Sequence, residues 1–142
     1  MRVAEKVLQD YCLRYFRHRG FAVEAEVPLL SKIADIYGVH RVSGCTIAVE
    51  VKIGDWRRGM VQAEVYTLFA TNVYLALHAD CVDRVDRVLL NQHGFGLLSV
   101  NEYADVVEIS EPTCSNAVVP FLEERTFLRT FHESQLLSPP GT

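Results

Sequence analysis

The sequence predicts an α/β domain built on a mixed sheet with helices packed against it. Three observations predict this. Apolar residues recur at helical spacing over residues 2–19. Residues 21–53 change to short β-branched runs separated by turn residues. From residue 56 onward, helical stretches alternate with short apolar runs, the pattern of crossover connections between parallel strands. At 142 residues, with 49% hydrophobic and 23% charged side chains, the chain suits one globular domain with a substantial core. The expected domain covers residues 1–137, and the proline-rich end, 138–142, reads as a frayed tail.

Each element has its own signal. Val3, Val7, Tyr11 and Tyr15 step by four, with Leu8 and Phe16 widening the stripe, which predicts a helix from Arg2 to Arg19 closed by Gly20. Phe21 to Val27 reads as a strand with one wet face, broken by Pro28. Ile33 to Val39 is a second strand, Arg41 to Gly44 a turn, and Cys45 to Ile53 a central strand. Asp55 is a good helix N-cap, and Trp56 to Ala70 reads as a largely buried helix. Val73 to Leu77 is a buried strand whose position after a helix predicts parallel pairing. A helix over Val82 to Gln92, strands over Phe95 to Val100 and Val106 to Ile109, and a last helix over Pro120 to Gln135 complete the chain. The last helix carries Phe121, Phe127, Leu128 and Phe131 and is a candidate homodimer surface.

Composition narrows the function classes. No apolar run approaches the roughly 20 residues of a membrane span, so no membrane partner is expected. The N-terminus is charged and amphipathic rather than signal-like, which makes the cytoplasm the expected location. Cys12, Cys45, Cys81 and Cys114 are too far apart for a zinc pattern and read as reduced packing residues. The net charge is −4, but it is unevenly spread. Residues 1–58 hold ten Lys/Arg against seven Asp/Glu, whereas 59–142 hold four against eleven. The basic half is also the half with the unusual carboxylates.

Those carboxylates lie in Ala34-Asp35 and in Glu50-Val51-Lys52. Side chains two apart on a strand share a face, so Glu50 and Lys52 project together with Ala48 and Thr46, while Ile47, Val49 and Val51 form an aliphatic face opposite. Charges on a central strand are costly unless something uses them. If Asp35 is on the neighbouring strand, two carboxylates and a lysine converge. Oxygen donors of that kind suit a hard cation, Mg²⁺ or Mn²⁺.

Asp35, then Glu50-Val51-Lys52 after a short hairpin, resembles the signature of the PD-(D/E)xK nuclease superfamily, which includes restriction endonucleases and archaeal Holliday junction resolvases. Glu5 on the first helix, and Gln62 and Tyr66 on the helix after the Glu-x-Lys strand, extend the likeness over Ala4 to Leu77. Ala34 stands where the motif's proline would be. The resemblance implies a restriction endonuclease-like α-β-β-β-α-β core with an added C-terminal helix. It implies phosphodiester hydrolysis, with DNA as the commonest substrate class. Asp35, Glu50 and the Val51 carbonyl would bind Mg²⁺ or Mn²⁺, with Glu5 as a further ligand. Lys52 would orient the attacking water, and Gln62 would fix the scissile phosphate or Lys52. Arg57, Arg58, Arg41 and Tyr66 are the candidate nucleic-acid contacts. Arg57 and Arg58, in a first helical turn, read either as solvated surface or as phosphate contacts. Two other functions fit the same residues: a nuclease-fold module that binds without cleaving, and an interaction protein working through its acidic C-terminal half.

Overall fold

The computed structural model describes residues 4–131. One six-stranded mixed sheet runs in strict chain order, β1-β2-β3-β4-β5-β6. The strands are β1 (Phe21–Leu29), β2 (Lys32–His40), β3 (Thr46–Lys52), β4 (Asn72–His78), β5 (Gly96–Val100) and β6 (Val106–Ser110). Helices α1 (Glu5–His18), α2 (Trp56–Glu64), α3 (Arg87–Gln92) and α4 (Pro120–Thr130) flank it. The order α-β-β-β-α-β expected for the first half is present. β1-β2-β3 is an antiparallel meander, β3-β4 and β4-β5 are parallel, and β6 returns antiparallel.

The sheet separates two cores. On one face Leu8, Cys12, Leu13 and Phe16 of α1 cover Ile36, Ile47, Val49 and Val51. On the other, Trp56, Met60 and Ala63 of α2, with side chains of α3 and α4, cover Tyr37, Ala48, Leu75 and Leu77. β3 is therefore buried on both faces, Thr46, Ala48 and Glu50 included.

Several elements differ from expectation for physical reasons. β1 continues through Pro28 because it is an edge strand, where a missing N–H costs no ladder bond. The second long helix stops at Glu64 and tightens into a 3₁₀ turn, Val65–Leu68. The stretch read as a helix over Val82 to Gln92 divides into a 3₁₀ segment, Ala79–Arg84, and α3. α4 packs through Leu122, Thr126, Phe127 and Phe131 but leaves Phe121 and Leu128 exposed, so its aromatic residues do not share one face. The expected helix start at Arg2, the helix end at Gln135 and the tail from 138 lie outside the described residues. Among the described residues, no helix is long and apolar enough to cross a membrane.

Close approach of β1 and β2 depends on Gly38. A Cβ there would meet Val23 Cγ1 at 2.5 Å and the Ala22 carbonyl at 2.8 Å. Backbone cannot yield as a flexible side chain does, so Gly38→Ala should destabilise the fold by roughly 1–3 kcal/mol. Urea unfolding measures this, and an unchanged midpoint would mean that the two strands can separate freely.

Candidate active site

The site begins with an interruption in two strands. β1 and β2 pair at Ala25↔Ile36 and at Val27↔Ala34, but Glu26 and Asp35 between them do not pair. Glu26 has φ +55°, a left-handed conformation that costs a non-glycine residue free energy. The alternation of faces slips at this point. Ala25 and Ile36 belong to the α1 core, whereas Val27 and Ala34 belong to the α2 core. Asp35 stands at the slip, half-buried between the two faces.

β2 and β3 also part company here. Their register extends to Ile36↔Val49. Beyond it, the Val51 N–H donates to Asp35 Oδ2 at 2.7 Å instead of to a β2 carbonyl. N–H and C=O of one strand residue leave by the same edge, so the Val51 carbonyl points into the same gap. The gap thus contains a carboxylate and a strand carbonyl.

Glu50 lies beside it, 4% exposed. One carboxylate oxygen, Oε2, is 3.5 Å from Lys52 Nζ, and the other, Oε1, accepts the Tyr66 hydroxyl. The Lys52 stem crosses α2 at Gly59, where an added Cβ would come within 3.1 Å of Lys52 Cγ and 2.6 Å of Leu75 Cδ1. Glycine is what allows α2 to approach β3 so closely. Gln62 is three residues after Gly59 and four before Tyr66, so it shares their face. Along the chain it lies between Gly59, which the lysine stem crosses, and Tyr66, which holds Glu50. Its Oε1 is buried and has no hydrogen-bond partner among the described residues.

Burial holds both carboxyls above their ordinary range, and the Asp35 charge further disfavours ionised Glu50. Glu50 is pushed up to about 7 by burial, with Asp35 adding to the rise, against the Tyr66 hydrogen bond and the Lys52 charge. The Val51 N–H and Lys52 favour ionised Asp35, while Glu5 opposes it. Glu5 is therefore within electrostatic reach, although exposed at the start of α1.

Asp35, Glu50, Val51 and Lys52 thus gather at one end of β3, with Glu5 within electrostatic reach of Asp35 and Gln62 on the helix that the Lys52 stem crosses. Tyr66 belongs with them but not at a nucleic-acid surface: it is 1% exposed and spends its hydroxyl on Glu50 and the Ile33 carbonyl. Arg41 follows the far end of β2, six residues and roughly 20 Å of strand from Asp35. Arg57 and Arg58 are exposed at the start of α2, with the Arg57 guanidinium 4.5 Å above the Trp56 ring. The Arg58 N–H donates to the Asp55 carboxylate, as the N-cap reading expects.

Among the described residues, no three His, Cys, Asp or Glu side chains form a metal-holding group. The donor set is instead two carboxylates and a strand carbonyl. Hard oxygen donors, a buried carboxyl disfavoured by the half-buried one beside it, and an orphaned amide oxygen all fit a hydrated divalent cation. One residue of interest carried no sequence signal as a site residue. Gln9 on α1 is 5% exposed, and its Nε2 has no partner among the described residues.

A raised carboxyl has a definite effect on stability. The folded protein binds the Glu50 proton more tightly than the unfolded chain does. The stability it contributes is complete below about pH 4.5 and is lost as pH rises through about 7. The metal-free protein should therefore melt lower at pH 8 than at pH 5.5. Glu50→Gln, which cannot ionise, should remove most of that fall and raise the pH 8 melting temperature by roughly 2–8 °C. Melting curves of both proteins across pH decide the matter; parallel curves would mean that Glu50 is charged without cost.

The fold is similar to a solved structure described as the SPO1766 protein of unknown function from Silicibacter pomeroyi. The two are 14% identical, with a TM-score of 0.71 over 90% of this chain and 84% of that one. At that identity the likeness concerns fold alone. No family model matches the chain, and no curated protein matches it.

Proposed function

We propose that this protein is a metal-dependent nuclease of the PD-(D/E)xK kind, built on a restriction endonuclease-like core and hydrolysing phosphodiester bonds in nucleic acid, with DNA the substrate class. The observation that carries the reading is the gap between β2 and β3. There Asp35 takes the Val51 N–H and Glu50 meets Lys52 at 3.5 Å, at a depth where charged groups are expensive. The chain order α-β-β-β-α-β and the strand order support the core assignment.

Asp35, Glu50 and the Val51 carbonyl would hold one Mg²⁺ or Mn²⁺, with Glu5 acting through water or on a second ion. When bound, the ion supplies charge neutralisation at the phosphate and lowers the pKa of its water. The chain's own residues do the rest. The Tyr66 hydroxyl and the Lys52 ammonium fix the two oxygens of Glu50. Lys52, whose side chain is 15% exposed, reaches the mouth of the gap, where it orients the attacking water and offsets charge growing on the phosphate. Gln62 turns its unpartnered Oε1 toward the proton of that water or of Lys52. Arg57 and Arg58 lie where the backbone would enter, at a helix N-terminus that itself favours anions. They contact phosphate and read no bases.

Purified protein should cleave DNA with Mg²⁺ or Mn²⁺ and not with Ca²⁺. Asp35→Ala, Glu50→Ala and Lys52→Ala should each lower the rate by at least about 10²-fold. The double variants should lose little more, because the groups act as a unit. A gel assay with purified variants measures this. Activity surviving in Glu50→Ala would sink the reading. Metal binding and nucleic-acid binding without turnover would favour a non-catalytic module on the same fold.

The arginines have a separate test. Affinity should fall with salt at a log–log slope of about −0.9 per phosphate contacted. Arg57→Ala with Arg58→Ala should weaken binding alike for all sequences and flatten the slope by about one to two units. An unchanged slope in fluorescence anisotropy titrations would make both residues solvated surface.

A further inference from the structure

Gln9 is 5% exposed, yet its Nε2 donates to nothing among the described residues. A buried amide donor without a partner costs free energy that an apolar side chain would avoid. Its neighbours on α1 show the alternative: Leu8, Leu13 and Phe16 fill the same interface with apolar atoms. A polar group kept at such a place needs a use.

Its position suggests one. Lys6 Nζ reaches Glu26 Oε1 at 3.9 Å, and Glu26 stands opposite Asp35 where the β1–β2 pairing lapses. The first turn of α1 is thereby set over the irregularity that holds Asp35. Two further residues of α1, Glu5 and Cys12, are close enough to Asp35 for their charges to couple. At 100° per residue, Glu5, Gln9 and Cys12 fall within an arc of about 60° on the helix. Glu5 lies at the middle of that arc and Gln9 at its edge, one turn further along the helix, so Gln9 is on the side of α1 that both Asp35-coupled residues occupy.

We propose that Gln9 is a positioning residue for the cation site, its Nε2 donating to the Asp35 carboxylate when a divalent ion is bound. The site is then held from both faces of the sheet. α2 supplies Gln62 beside Glu50 and Lys52, and α1 supplies Gln9 beside Asp35. A donor behind a liganding carboxylate fixes its orientation and strengthens its hold on the ion. This assignment rests on the nuclease reading to the extent that it requires a divalent cation at Asp35 and Glu50.

The test uses Mn²⁺ alone with the purified chain, and no nucleic acid. Calorimetric titration gives the Mn²⁺ affinity of the unaltered protein, Gln9→Leu, Gln9→Met and Asp35→Asn. Both Gln9 variants remove an orphaned donor, so each metal-free protein should unfold at the same or higher temperature. Both should also bind Mn²⁺ roughly 10–100-fold more weakly. Gln9→Met, unbranched like glutamine, serves if the leucine does not fit. A purely structural Gln9 would change the unfolding temperature and leave Mn²⁺ affinity unmoved, and that result overturns the assignment. If the Gln9 variants bind as the unaltered protein does while Asp35→Asn does not, the cation site stands and the role of Gln9 falls. If the unaltered protein takes no Mn²⁺, the nuclease reading falls with it.

Discussion

The hydrogen bond from the Val51 amide to Asp35 Oδ2 stands where the β2–β3 ladder would otherwise place a backbone carbonyl. Much else follows from that substitution. A side chain in the place of a rung lets the strands diverge without stranding a buried N–H. The divergence opens a gap inside the sheet, and the Val51 carbonyl points into it. The lapse at Glu26 and Asp35 brings this about, since it carries β2 from one facing pattern to the other. The left-handed backbone at Glu26 is a local cost that the surrounding pairing of β1 and β2 sustains.

Glu50 then has to be kept inside a strand that is buried on both faces. Two contacts make that tolerable: a hydroxyl from Tyr66 and an ammonium from Lys52. They offset the desolvation of the carboxyl only in part, which is why its pKa stays raised, to about 7. A site left with surplus negative charge and a residual cost of burial is suited to a cation. The glycine at position 59 matters for the same reason. It lets α2 lie near enough for Tyr66 to reach Glu50 while the lysine stem passes between helix and sheet.

Much of this was legible in the sequence, and the remainder has identifiable causes. Alternation along β3 placed Glu50 and Lys52 together because that strand runs without the slip that interrupts β1 and β2. The parallel pairing of β3 with β4 followed from the helix between them. Pro28 misled because proline marks a strand end only where its N–H would be needed, and edge position is not a local property. Arg41 was grouped with the site by charge, but strand length carries it to the opposite end. The resemblance puts Tyr66 with the substrate through its place four residues after Gln62, whereas the buried carboxylate of Glu50 claims its hydroxyl. Gln9 went unnoticed because a glutamine in an apolar helical stripe has no periodic signature. Its meaning depends on the strand irregularity beneath it, which arises from a backbone angle at Glu26 that no pattern of residue types announces.

The central claim is that the gap between β2 and β3 is a cation site formed by Asp35, Glu50 and the Val51 carbonyl. Crystals soaked in Mn²⁺ and measured at a wavelength where manganese scatters anomalously test it most directly. The account predicts one anomalous peak in the gap, within bonding distance of a carboxylate oxygen of each residue and of the Val51 oxygen, and its loss in Asp35→Asn. A gap without anomalous density at saturating Mn²⁺, with Lys52 and Tyr66 still on Glu50, would contradict it.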